Sequence, residues 1–98
     1  MNIIADTILE QLGGMRFIAM TGMRQAAAGK AELQFKIPRS NGINCVRIYL
    51  EPSDTYEVTF YDIKRRGLNV DIVERLTGIY ADQLAEVFTA QTGLETRL

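Results

Sequence analysis

Two stretches decide the fold: Ala31-Glu32-Leu33-Gln34-Phe35-Lys36-Ile37 (residues 31–37) and Asn44-Cys45-Val46-Arg47-Ile48-Tyr49-Leu50 (residues 44–50), separated by Pro38 and an Asn41-Gly42 pair. Leu33, Phe35 and Ile37 alternate with Glu32, Gln34 and Lys36. Val46, Ile48 and Leu50 alternate with Cys45, Arg47 and Tyr49. A period of two marks pleated strand with one buried face. Pro38 is expected to end the first strand. Asn41 and Gly42 both tolerate positive φ and turn the chain back. The pair of segments predicts an antiparallel hairpin.

Working outward, Pro52-Ser53-Asp54 is a further turn, with Pro presetting φ. Tyr56 to Ile63 follows as a strand, with Val58 and Phe60 on one face and Glu57, Thr59 and Tyr61 on the other. Upstream, Arg16 to Met20 reads as a first strand. Thr21 to Lys30 reads as a Gly/Ala-rich loop in which Arg24 to Ala28 could make one helical turn. Downstream, residues 68–76 are ambiguous. Val70, Ile72 and Leu76 fit a strand face, whereas Leu68, Ile72, Val73 and Leu76 fit a helix. The β-branched content favours a fifth strand. Short connections between these segments suit an antiparallel meander.

Helices are expected at the two ends. In residues 3–12, Ile4, Ile8, Leu9 and Leu12 form an apolar stripe, Asn2 is a candidate N-cap, and Gly13-Gly14 ends the run. In Ala81 to Thr92 the stripe is Ala81, Leu84, Ala85 and Phe88, and Gly93 stops it. Leu94 is placed to fold back onto Phe88. The apolar sheet face needs a cover, and both helices can supply it. The expectation is one α+β domain over residues 1–98, a two-layer sandwich with helices on one face of a five-stranded meander.

Composition narrows the chemistry. The chain has 98 residues, one cysteine and no histidine. Imidazole catalysis, imidazole metal ligation and an internal disulfide are therefore excluded. Asp54 and Asp62 show no calcium-loop spacing. No metal or cofactor is expected. Cys45 lacks an adjacent base and reads as a small apolar residue. Asp71/Glu74 and Asp82/Glu86 read as solvated charges. No apolar run reaches the roughly 18 residues of a membrane span. The N-terminus lacks a basic region before its apolar residues, so no secretory signal is read there and a reducing cytoplasm is expected. An enzyme is not expected.

Charge is sorted along the chain. Residues 15–66 hold nine basic and five acidic residues, while the flanking segments 1–14 and 67–98 carry −2 and −3. On the sheet face away from the helices, Lys36, Arg47, Tyr49 and Tyr61 should stand together. Arg39, Arg65 and Arg66 could extend that positive path. Cations that neutralise phosphates beside rings that stack on bases suit single-stranded nucleic acid. Tyr and Thr are also simply favoured in strands, and Glu32, Glu51 and Glu57 weaken the field. The same face, or a sheet edge, could instead mediate a homodimer or a host-protein contact.

Leu12-Gly13-Gly14-Met15-Arg16-Phe17-Ile18-Ala19-Met20-Thr21-Gly22, Pro52-Ser53-Asp54-Thr55-Tyr56, Phe60-Tyr61, Tyr80-Ala81-Asp82-Gln83-Leu84 and Thr92-Gly93-Leu94 together span nearly the whole chain. In these the chain resembles small uncharacterised proteins of bacteriophages, prophages and related mobile elements. The resemblance carries over no activity, cofactor or catalytic residue. It implies an accessory protein of the bacterial host cytoplasm that acts by binding nucleic acid or a host protein.

Overall fold

The computed structural model describes residues 2–64 and 69–96. The chain runs α1 (Ile3–Leu12), α2 (Met15–Thr21), β1 (Arg24–Ala28), β2 (Glu32–Ser40), β3 (Ile43–Leu50), β4 (Tyr56–Lys64) and β5 (Asn69–Ile79). A 3₁₀ turn (Ala81–Gln83) then leads into α3 (Leu84–Thr92). The five strands form one antiparallel sheet in sequence order, with N- and C-terminal helices, an α+β fold as expected.

Alternation sets the packing. Leu33, Phe35, Val46, Ile48, Val58 and Phe60 are buried beneath the helices. α1 contributes Ala5, Ile8 and Leu12, and α3 contributes Leu84 and Phe88. Phe17 meets Phe35 and Phe88 edge-on, with ring centroids 5.5 and 4.8 Å apart. That geometry sets the positive ring edge against the negative ring face. The Asn2 side chain caps α1, accepting from the Ala5 amide at 2.8 Å. Tyr56 donates to Gln11 Oε1 at 2.8 Å and ties β4 to α1. Ser40 donates to the Thr92 carbonyl at 2.6 Å and ties the first hairpin to the end of α3.

The structure corrects three expectations. Arg16 to Met20 lies within helix α2, not in a strand. Gly14 precedes α2, Gly22 closes it in the left-handed conformation, and the buried residues are Phe17 and Thr21, one helical turn apart. Arg24 to Ala28, read as loop or helical turn, is instead edge strand β1 on β2. All five of its residues are exposed, so no face needed apolar side chains and no period of two could show. Pro38 does not end β2, which continues to Ser40. The ladder shifts register between Lys36 and Ser40, and the proline's missing N–H falls in that irregular stretch. Residues 69–76 are strand, as favoured, and β5 extends to Ile79.

Candidate interaction face

The helices leave the opposite face of the sheet uncovered. Cross-strand register builds it in rows. Glu32, Tyr49 and Glu57 are paired in one row. Gln34, Arg47, Thr59 and Arg75 form the next. A third row crosses all five strands, pairing Arg24 with Lys36, Lys36 with Cys45, Cys45 with Tyr61, and Tyr61 with Ile72. Lys36, Arg47, Tyr49 and Tyr61 therefore share one face, as the alternation predicts.

Sharing a face does not leave their charge available. Arg47 donates to Glu32 Oε1 at 2.7 Å and lies 3.7 Å from Glu57. Its guanidinium also sits 5.2 Å from the centre of the Tyr49 ring. Arg75, which the sequence reading passed over, donates to the other Glu57 oxygen at 2.9 Å. Arg47 and Arg75 are thus balanced by Glu32 and Glu57. The hydrogen bond from Arg47 holds the Glu32 carboxyl below its usual range, and the same bond raises Arg47. Arg39 is likewise engaged. Its Nη2 donates to Asp62 at 2.8 Å, and this bond depresses the Asp62 carboxyl. Arg65 and Arg66 lie outside the described residues.

Between these groups the sheet is sealed. Cys45 is 1% exposed and Thr59 2%, although both belong to the outer face. Burial pushes the Cys45 thiol up, opposite to the direction that makes a reactive thiolate. Among the described residues no three His, Cys, Asp or Glu side chains group as metal ligands. Among the same described residues no helix is long and apolar enough to cross a membrane.

The β4–β5 end of this face is different in kind. Tyr61 and Ile63 are paired with Ile72 and Val70. Ile72 is 62% exposed and Val70 53%, and neighbouring Val73 is also exposed. Val73 falls where the ladder shifts register, between the Phe60–Glu74 and Tyr61–Ile72 pairs. The other side of the same ladder carries Asp62, Lys64 and Asp71, with the Lys64 ammonium 3.6 and 3.4 Å from the two carboxylates. The hairpin is therefore amphipathic with its apolar side turned outward. Sequence reasoning missed this patch. The expectation that set Val70, Ile72 and Leu76 on one strand face is corrected: the register shift at Val73 turns Leu76 inward beside Val58, against the core, and leaves Val70 and Ile72 on the outer face.

No family model, curated protein or solved structure matches this chain.

Proposed function

We propose that this chain is a small non-enzymatic protein-interaction module, an accessory protein of phage or mobile-element type working in the host cytoplasm. It engages a partner protein through the outer sheet face. One observation carries the reading: the cluster of exposed Val70 and Ile72 with half-buried Tyr61 and Ile63, on a face whose neighbouring charges largely satisfy one another. Exposed aliphatic groups scattered singly need no explanation, but a contiguous patch rimmed by polar residues suits a protein contact. Single-stranded nucleic acid is the weaker reading. Arg47 is held by two carboxylates, and its guanidinium lies against the Tyr49 ring a base would need.

The test places a photoreactive benzophenone side chain at Val73, beside the patch, and in a control at Ala90 on α3. Irradiation in cells expressing the protein should give protein adducts from position 73, lost when Ile72→Lys is added, and none from position 90. No adduct from position 73, or adducts to nucleic acid, overturns the proposal. Anisotropy titrations with short DNA and RNA single strands should show no binding. Binding that weakens steeply with salt and is lost in Lys36→Glu would reverse the choice.

A further inference from the structure

The third row across the sheet carries a chemical gradient: Arg24, Lys36, Cys45, Tyr61, Ile72. Arg24 and Lys36 stand directly opposite each other on β1 and β2. Like charges in that relation destabilise a sheet. Arg47 and Arg75, one row away, each have a carboxylate partner. Arg24 and Lys36 have no ion-pair partner among the described residues, and both are exposed. The opposite end of the row is apolar and equally open, and the buried Cys45 between them offers no projecting side chain.

Resting on the interaction reading above, we infer that the occupant of this face is an acidic segment of a partner protein that also carries apolar side chains. Its carboxylates meet Arg24 and Lys36, its backbone passes over Cys45, and its apolar groups seat against Tyr61, Ile63, Val70 and Ile72. Strand spacing sets the scale. Lys36 and Tyr61 are two strands apart, about 10 Å, and Arg24 and Ile72 four strands apart, about 19 Å. An extended segment covers those distances in about three to six residues. The unrelieved cation pair gives attraction and orientation, and the patch gives desolvated contact area. A second copy laid face to face sets these cations against either their counterparts or the apolar end of the row, depending on the direction of the two-fold axis, and the nearby Glu32 and Glu57 are already paired. The complementary charge therefore belongs to another chain.

The experiment uses the Val73 cross-linker with Arg24→Gln/Lys36→Gln and, as control, Arg16→Gln on α2. The double variant should lower adduct yield at least tenfold, and the control should leave it unchanged. In the purified protein, relief of the like-charge pair should also raise the thermal midpoint by about 1–4 °C at low salt. Mass spectrometry should show Asp or Glu within about six residues of the cross-linked position in the partner. Undiminished adducts in the double variant, a basic cross-linked segment, or an adduct of twice the chain mass overturns this inference and leaves the interaction reading standing. Absence of any adduct overturns both.

Discussion

At the scale of single residues, Arg47 shows how far alternation informs and where it stops. A period of two puts Arg47 on the same side as Lys36, Tyr49 and Tyr61, and register bears that out. Whether its charge is free depends on which acids stand one position away on the neighbouring strands, and turn geometry decides that. With Glu32 and Glu57 both paired to Tyr49, Arg47 falls diagonally between them. Its role is therefore structural. Arg47→Ala leaves Glu32 without its partner and Glu57 with Arg75 alone, and should lower unfolding free energy by about 1 kcal/mol in urea melts. Glu32→Gln in the same background should cost less than it does alone, the non-additivity of a coupled pair. The same contacts set a pH response. Glu32 and Asp62 both have depressed pKa values in the folded chain. The unfolded state then binds more protons as pH falls. Their stabilisation is fully present above the unfolded carboxylate pKa and is lost as pH drops through the lower folded value. Urea melts should give constant stability between about pH 5 and 8 and a decline below about pH 4. The decline should be shallower in Glu32→Gln.

At the scale of elements, the sequence was most legible where burial is one-sided. β2, β3 and β4 each bury one face, so each displays a period of two. α1 and α3 each bury a stripe, so each displays a helical one. α2 and β1 display neither. α2 has seven residues, too few for two turns of pattern, and its run Phe17-Ile18-Ala19-Met20 is apolar on every side. β1 is Arg-Gln-Ala-Ala-Ala, good helix formers held extended by pairing to β2. Tertiary contact overrode propensity there. The flanking glycines were the usable signal, because Gly14 and Gly22 bracket a helix as well as they punctuate a strand. Gly22 has φ +72°, and a Cβ added there would meet the Pro38 ring at 3.1 Å. Gly22→Ala should therefore destabilise by about 1–2 kcal/mol in urea melts, the cost of a left-handed L-residue plus a tight contact. Gly22→Asn should cost less at the backbone but meet the same ring. An Asn variant as destabilised as Ala would assign the cost to the Pro38 contact and not to φ.

At the scale of the molecule, the sheet divides two jobs. Its inner face meets the helices through Phe17, Phe35 and Phe88, and these rings join α2, β2 and α3 in one contact. Its outer face holds no such lid, and the exposed apolar groups collect at the β4–β5 end. The division predicts that stability and partner contact respond to different substitutions. Phe88 is 1% exposed, and Phe88→Ala should cost about 3–5 kcal/mol, a large share of what a domain of this size commands. Ile72 is largely exposed and contributes little burial within the chain, so Ile72→Lys should change unfolding free energy by no more than about 0.5 kcal/mol. Their effects on cross-linking from position 73 should invert. Ile72→Lys should abolish adducts while the melt is unchanged. Phe88→Ala, at a temperature where circular dichroism shows the variant still folded, should keep them. A single core serving both faces would make adduct yield track stability across the two variants, and that outcome would show that the outer patch is held for the fold and not for a partner.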